Sequence, residues 1–399
     1  MGNGRSAARG SEPTSKLVLA SKWKGALSKV GVSLSSWCSG SFRTGGKYEQ
    51  EQLLPVGMRA ESLKHACTGW PFPRFISLFF PVFPYKSQHI DQEFQDIEFI
   101  ARGSLGPILK VRQRTVEKTY ALKVLLKAEV VRQGVLQQCK DAVVIQKQVL
   151  HPFVQGVREC WQTSRLLFIK CDYHHDGDLG RFWAAQKPLA EGRVRVFAAE
   201  LGSAIGFLHD FGVIHRDVKM ENVLLNERGH LILTDFGLSR RLWRGERAST
   251  ICGTIGYMAP EVLRGSPYNH SADWWSLGIL LYILIAGKFP VEPQDDHAAM
   301  LASVQRAHLP PPAPVSRSLD FLLAELLCAD PQRRLHRLDA FSEHCFFHGL
   351  PFDPVLLQQL PLEPSQVAGD GPSLSQHPPH LFPDFDWEPL ADSETPLAA

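Results

Sequence analysis

The chain has 399 residues, of which 44% are apolar and 21% are charged, a composition typical of a globular protein. Forty-three Lys and Arg against 41 Asp and Glu leave a net charge of +2, too balanced for a protein that mainly wraps nucleic acid. Eight cysteines without a C-x-x-C pair argue against a disulfide framework or a zinc site, and predict reduced thiols and a cytoplasmic protein. The most apolar stretch, residues 274–286, is shorter than the about 20 residues that cross a membrane and predicts a buried helix.

Charge is distributed unevenly along the chain. Residues 1–47 carry eight basic side chains and one acidic one, whereas residues 361–399 carry seven acidic side chains, no Lys or Arg, and eight prolines. Both compositions are typical of segments that do not fold alone. We therefore expect a basic, largely disordered N-terminal segment at 1–93, a folded domain at 94–349 and an acidic, Pro-rich tail at 350–399.

An aromatic segment, residues 71–85, precedes the folded domain and contains four prolines. The prolines make it unsuitable for a helix or for a central strand of a sheet. Two interpretations are open. The segment packs against the folded core, or it binds a partner; we favour packing.

The folded domain divides into a strand-rich part and a helix-rich part. Residues 94–111 alternate apolar side chains around a glycine-containing turn, and residues 119–126 continue as an apolar run, which predicts adjacent strands. Two later stretches show helical periodicity and end at Gly212 and Gly287. This order predicts an α+β protein with two unlike lobes, divided near residue 172.

Three short motifs follow one another in the helix-rich part. They are His-Arg-Asp-Val-Lys-Met-Glu-Asn at 215–222, Asp-Phe-Gly at 235–237 and Ala-Pro-Glu at 259–261. In this order and spacing they resemble the catalytic loop, the metal-binding triplet and the end of the activation segment of a protein kinase. The resemblance implies a bilobal kinase fold that transfers the γ-phosphoryl group of ATP to a protein.

The resemblance implies a role for each polar residue of these motifs. Asp217 would accept the proton of the substrate hydroxyl, and Lys219 would neutralise the transferring phosphate. Asn222 and Asp235 would supply the oxygen ligands that Mg²⁺ prefers. Isolated Asp or Asn residues more often form turns and helix caps, but the combination favours catalysis.

Upstream residues resemble the nucleotide-binding elements of the same family. Lys123, in Tyr-Ala-Leu-Lys, resembles the third-strand lysine that binds the α- and β-phosphates. The expected phosphate-covering loop consists of Ala101, Gly103, Ser104, Gly106 and Ile108. Ala101 replaces the first glycine, which predicts weaker binding of ATP. Alone, the loop would be an ordinary hairpin turn, and its position before Lys123 favours the nucleotide interpretation.

A second departure lies in the C helix. The family's spacing from Lys123 places the expected glutamate at Ala142, and the neighbouring Asp141 is turned by about 100° around a helix. The family's active arrangement uses a pair between the strand lysine and this glutamate. We therefore keep two hypotheses: an active kinase, or a weakly active pseudokinase that serves as a membrane-tethered scaffold.

Smaller motifs resemble the AGC group of serine/threonine kinases. Asp-Trp-Trp-Ser-Leu-Gly at 273–278 is similar to a helix signature whose aspartate supports the catalytic loop. Thr250 takes the position that an upstream kinase phosphorylates, where Arg216 would bind the phosphate. Glu261 and Arg334 match the family's buried ion pair.

The acidic tail contains Phe-Pro-Asp-Phe-Asp-Trp at 382–387, which resembles the hydrophobic motif of the AGC group. In that group the two phenylalanines dock in a groove beside the C helix. Asp386 would replace a regulated phosphate there. A disordered aromatic-acidic tail is the alternative.

Substrate preference follows from three positions in the resemblance. Glu221 takes the position that recognises an arginine before the target hydroxyl, and Asp178 aligns with the acid that contacts ribose and substrate. Ile283 replaces the acid that recognises a second arginine. We expect a mild preference for basic protein substrates, although Glu221 alone would be compatible with capping the catalytic loop.

The N-terminus begins Met-Gly-Asn-Gly-Arg-Ser, which fits the N-myristoylation pattern with Gly2 as the acceptor. One acyl chain binds membranes only marginally, but basic residues near an anionic leaflet add about 1 kcal/mol each. We therefore expect peripheral association with a membrane surface and no nucleic acid partner. An unmodified N-terminus is the alternative.

Overall fold

The computed structural model describes residues 74–87, 90–103, 105–307 and 314–362. Five antiparallel strands form the main sheet, in the order β1-β2-β3-β5-β4. The strands are β1 Phe94–Gly103, β2 Gly106–Gln113, β3 Thr119–Leu126, β4 Val157–Gln162 and β5 Leu166–Asp172. The strands predicted around the glycine turn and at residues 119–126 are therefore confirmed.

Four helices accompany this sheet: α1 Arg74–Ser77, α2 Ile90–Glu93, α3 Lys127–Arg132 and α4 Leu136–Gln148. Helix α4 is the C helix of the sequence analysis and contacts β4. The aromatic segment packs against this lobe, because Phe79 and Phe83 are fully buried in one cluster with residues of α4 and β5. The packing interpretation of this segment is confirmed. The expectation that the segment contains no helix is wrong at α1, a single turn that lies before the prolines at 81 and 84.

The second lobe is mainly helical. Its α-helices are α5 Leu179–Gln186, α6 Glu191–Asp210, α7 Pro260–Leu263, α8 Ser271–Ala286, α9 His297–Arg306, α10 Arg317–Leu326, α11 Leu338–Ser342 and α12 Pro354–Leu357. The short strands are β6 Val213–Ile214, β7 Val223–Leu225, β8 Leu231–Leu233 and β9 Arg240–Arg241. β6 pairs with β9, and β7 pairs with β8.

Helix α8 is the centre of the second lobe and packs against α6 and α10. Its side chains from Ser271 to Leu284 are all buried, as expected for a helix that is apolar on every side. Gly287 ends the helix in the left-handed region, with a φ of 78°, which glycine adopts without a steric cost. The predicted buried helix is confirmed.

Within the described ranges, the six cysteines are free thiols, and no helix is long and apolar enough to cross a lipid bilayer.

Candidate active site

The catalytic-loop motif is held in place by Asp273, in the first turn of α8. Its carboxylate accepts the backbone N–H groups of His215 and Arg216, each at 2.8 Å, and the ring of His209 at 2.9 Å. Burial alone would raise the pKa of Asp273, but these hydrogen bonds outweigh burial and lower it. Arg216 has a φ of 69°, a strained value for a residue with a Cβ, and its bond to Asp273 stabilises that conformation.

Asp217 is the centre of a hydrogen-bonded cluster. Its Oδ1 accepts the hydroxyl of Thr254 at 2.7 Å, and its Oδ2 accepts the amide of Asn222 at 2.8 Å. Lys219 lies 2.9 Å from the same Oδ2 and donates to the hydroxyl of Thr254 at 2.8 Å. The structure thus brings together three residues predicted from one motif and a threonine from the activation segment.

Lys123 and Asp235 form an ion pair between the lobes. Lys123 lies in β3, and its Nζ is 3.1 Å from Oδ1 of Asp235. Burial opposes the charge on Lys123, but the carboxylate outweighs burial and raises the pKa of this lysine. The charge of Lys123 is the main cause that lowers the pKa of Asp235. Both groups are therefore charged at neutral pH.

The predicted phosphate loop forms the hairpin between β1 and β2. Ala101 pairs with Ile108, and Gly103 pairs with Gly106. The hairpin lies over Lys123, because a Cβ on Gly103 would be 3.6 Å from the lysine Cε. Gly106 has no room for a side chain, since a Cβ there would overlap the carbonyl oxygen of Val124 in β3.

The positions of three other predicted site residues, Ser104, Asp178 and Glu221, are as follows in the structure. Ser104 lies outside the described residues. Asp178 caps α5, because its Oδ1 accepts the backbone N–H of Arg181 at 2.9 Å. Glu221 is exposed within the catalytic-loop motif.

The C helix carries no carboxylate toward Lys123 at the expected position. Ala142 is buried, and α4 is continuous through it. Asp141 points to solvent and accepts the side-chain amide of Gln137 at 2.8 Å. Gln138, which the sequence analysis missed, donates to the carbonyl of Gly237 at 2.5 Å and joins α4 to the Asp-Phe-Gly motif.

Thr250 is exposed on the activation segment. The hydroxyl of Tyr268 donates to the backbone carbonyl of Thr250 at 2.7 Å. Burial raises the pKa of the Tyr268 hydroxyl, and the nearby Arg216 partly opposes this rise. Arg216 also donates to the carbonyl of Leu238 at 2.6 Å. The guanidinium of Arg216 therefore lies near the segment that carries Thr250.

Arg334 and Glu261 form the buried pair that the sequence resemblance implied. The guanidinium donates two hydrogen bonds to the carboxylate, at 2.6 and 2.9 Å. It also donates to the carbonyl of Ser271 and lies 5.2 Å from the ring of Trp275. Arg334 therefore connects α7, at the end of the activation segment, with the first turns of α8.

The oxygen donors of Asn222 and Asp235 suit a hard divalent cation. The amide nitrogen of Asn222 is used by Asp217, which leaves its oxygen for a ligand. No group of three or more His, Cys, Asp and Glu side chains that could hold a metal occurs among the described residues. A cation here would therefore need phosphate oxygens to complete its shell, which is how Mg²⁺ is commonly bound.

Comparisons with known proteins agree with this geometry. Residues 94–347 match the protein kinase domain. A ribosomal protein S6 kinase-related protein of Homo sapiens is 47% identical over 340 residues, which cover 85% of this chain and 82% of the relative. The serine/threonine-protein kinase Sgk1 of Danio rerio is 35% identical over 308 residues, or 75% of this chain and 70% of the relative. Sgk1 of Xenopus tropicalis is also 35% identical, over 306 residues.

The chain belongs to the protein kinase family. It is a serine/threonine kinase of the AGC group, with the bilobal α+β fold expected from its motifs, and its family uses ATP and a divalent metal ion. Two residues singled out by the sequence analysis, Gly2 and Asp386, lie outside the described residues.

Proposed function

We propose that Asp217, Lys219, Asn222, Asp235 and Lys123 carry the transfer of the ATP γ-phosphoryl group to a serine or threonine hydroxyl. The observation that supports this most strongly is the cluster around Asp217, which fixes its carboxylate from three sides. A positioned carboxylate of this kind accepts the hydroxyl proton as the oxygen attacks phosphorus. The same cluster holds Lys219 where it neutralises charge on the phosphate oxygens.

We propose Mg²⁺ as the divalent ion, bound by the oxygen of Asn222 and the carboxylate of Asp235. When bound, the ion neutralises charge that develops on the phosphate oxygens. Lys123 then binds the α- and β-phosphates beneath the hairpin of Ala101, Gly103, Ser104, Gly106 and Ile108. Asp178, at the start of α5, contacts the ribose.

Conversion of Asp217 to Asn tests this assignment. Asp217→Asn keeps the size of the side chain but cannot accept a proton, so phosphorylation of a basic peptide with Mg·ATP is expected to fall by about 10²- to 10⁴-fold. Asp210→Asn is the matched control, because Asp210 is exposed at the end of α6 and is expected to leave the rate unchanged. Wild-type turnover by Asp217→Asn would contradict the assignment.

The second candidate function is a weakly active pseudokinase that serves as a scaffold. The observation that favours it is Ala142, which leaves Lys123 paired with Asp235 instead of a C-helix carboxylate. Magnesium-dependent autophosphorylation that is lost in Asp235→Asn supports the active kinase. Binding of Mg·ATP without turnover in the wild type supports the scaffold.

We propose a mild preference for basic protein substrates. Glu221 is exposed within the catalytic-loop motif, where it can meet a substrate arginine, whereas Ile283 is buried and carries no charge. Glu221→Gln is expected to raise KM for a peptide with one arginine before the target serine and to leave kcat similar. A neutral peptide with the same serine is the control.

We propose a cytoplasmic enzyme that associates peripherally with membranes through Gly2 and the basic residues of 1–47. A myristoyl chain and a basic segment together supply the two signals that stable anchoring requires. Gly2→Ala is expected to move the protein to the soluble fraction and to remove labelling by a myristate analogue. Gly4→Ala keeps the acceptor glycine and is the matched control. Unchanged membrane partition of Gly2→Ala would contradict the anchor.

A further inference from the structure

The aromatic segment fills a groove on the strand-rich lobe. The groove is formed by α3, α4, β4 and β5, and its apolar lining consists of Val130, Cys139, Val143, Leu167 and Ile169. Phe79 and Phe83 insert into it with no exposed surface, and their rings meet edge to face at 6.4 Å. We call this surface the C-helix groove.

Hydrogen bonds to this segment are made to its backbone carbonyls. Lys140 of α4 donates to the carbonyl of Phe80 at 3.2 Å, and the thiol of Cys160 donates to that of Val82 at 3.0 Å. The side chain of Gln162 donates to the carbonyl of Phe83 at 2.6 Å.

The last residue of β4, Gln162, also forms backbone hydrogen bonds with the end of this segment. The N–H of Gln162 donates to the carbonyl of Pro84, and its carbonyl accepts the N–H of Lys86, both at 2.9 Å. Backbone bonds of this kind give affinity without specifying a sequence, whereas the apolar pockets select the side chains. Another segment with the same apolar pattern can therefore use the same groove.

The tail of this chain contains such a segment. Residues 79–85 read Phe-Phe-Pro-Val-Phe-Pro-Tyr, and residues 381–387 read Leu-Phe-Pro-Asp-Phe-Asp-Trp. Aligned without a gap, the two segments share an apolar first residue, Phe-Pro, a second Phe and a final aromatic residue. Leu381 and Phe385 then correspond to the two buried residues, Phe79 and Phe83.

Charge distinguishes the two segments. The tail has Asp384 where the N-terminal segment has Val82. Lys147 of α4 lies beside Cys160, whose thiol contacts the carbonyl of Val82. We therefore expect an aspartate at this position in the groove to lie in the neighbourhood of this lysine.

The tail is long enough to reach the groove. The side chain of Gln358, near the last described residues, donates to the carbonyl of Pro152, which follows α4 closely in the chain. The residues between 362 and 381 can extend over roughly 60 Å at about 3.3 Å per residue, which exceeds the about 20 Å length of the 13-residue helix α4.

We propose that residues 79–85 and residues 381–387 are alternative occupants of the C-helix groove, and that the N-terminal occupant excludes the tail. At any time the groove then holds either the N-terminal segment or the tail. Because Gln138 of α4 also holds Gly237, exchange of the occupant is expected to bias the position of the Asp-Phe-Gly motif. The exchange is a binding equilibrium and is measurable without catalysis.

Binding of a labelled peptide tests the exchange. The probe is a fluorescein-labelled peptide of residues 378–390, added to full-length protein in which Phe385→Asp disables the intrinsic tail. Two further substitutions, Phe80→Ala and Tyr85→Ala, weaken binding of the N-terminal segment at partly exposed positions. They are expected to tighten peptide binding at least tenfold, because a segment that fills the groove more than about 90% of the time lowers the apparent affinity of a competitor by that factor. Phe321→Ala, an exposed residue of α10, is the control and is expected to change nothing.

A second arm tests the site of binding. Lys147→Glu is expected to weaken the peptide several-fold, and a peptide with Asp384→Lys is expected to recover that loss. Arg333→Glu makes the same charge change on an exposed residue of the helical lobe and is the control. A photo-crosslinker at position 387 is expected to label residues 140–162. Equal affinity with and without Phe80→Ala and Tyr85→Ala, no saturable binding to either protein, or labelling elsewhere overturns the proposal.

Discussion

The Nζ of Lys123 lies 3.1 Å from the carboxylate of Asp235, and the C helix carries the buried methyl group of Ala142 at the position where the family's spacing expects a competing carboxylate. Cys139, one turn before Ala142, lies close enough to Lys123 to perturb its pKa. A longer side chain at position 142 would therefore point toward the same lysine. Among the described residues, Asp235 is therefore the carboxylate that pairs with Lys123.

Ala142→Glu is expected to raise the phosphorylation rate several-fold. The new carboxylate would attract Lys123 away from Asp235, which frees that aspartate for the metal ion and favours the active position of α4. Ala142→Gln has the same size without the charge and is the matched control. Single-turnover phosphorylation measures the effect. An equal gain in both variants, or no gain in Ala142→Glu, would contradict the electrostatic explanation.

Thr250→Ala is expected to lower activity by about tenfold, because a phosphate on Thr250 would form charge-assisted hydrogen bonds with Arg216 and order the activation segment. Mass spectrometry of the active wild type is expected to find phosphate on Thr250. Ser249→Ala changes the exposed neighbouring hydroxyl and is the matched control. Full activity in protein without phosphate on Thr250 would rule out this regulation.

The sequence was sufficient to predict elements whose patterns are local. Helix α8 was predictable because a mostly apolar run, residues 274–286, ends at a glycine, and the cluster around Asp217 was predictable because its motif residues are close in sequence. The role of Gln138 was not predictable, since its bond to Gly237 spans 99 residues and depends on how the lobes close.

The position at which residues 79–85 bind to the strand-rich lobe could not be predicted for a related reason. Prolines remove any helical or strand periodicity, and the segment is held through carbonyl groups that every sequence has. Cys160 lies 78 residues from Val82, and Gln162 lies 79 residues from Phe83, so no local pattern indicates these contacts.

Arg334→Met is expected to destabilise the protein by about 3–5 kcal/mol, because it leaves the buried carboxylate of Glu261 without its partner. Chemical denaturation measures the change. A second substitution, Glu261→Gln, removes the unpaired charge and is expected to recover part of the loss. Arg333→Met, on the exposed neighbouring residue, is the control. A change below about 1 kcal/mol for Arg334→Met would show that the pair contributes no more than a surface ion pair.

His151 is expected to make the protein less stable in mild acid. Burial lowers the pKa of His151 to about 4, and the neutral ring accepts the N–H of Phe153 on Nδ1 and contacts the hydroxyl of Ser203 through Nε2. The unfolded chain, with a histidine pKa near 6.5, binds the proton more readily, so the free energy of unfolding falls as the pH drops from about 6.5 toward 4. The loss from this one group approaches about 3 kcal/mol at the acid end.

Urea denaturation of wild type and His151→Gln at pH 7 and pH 4.5 isolates the effect, because glutamine does not titrate. The stability gap between the two proteins is expected to narrow at pH 4.5, and a gap that is equal at both pH values would show that His151 does not titrate on unfolding.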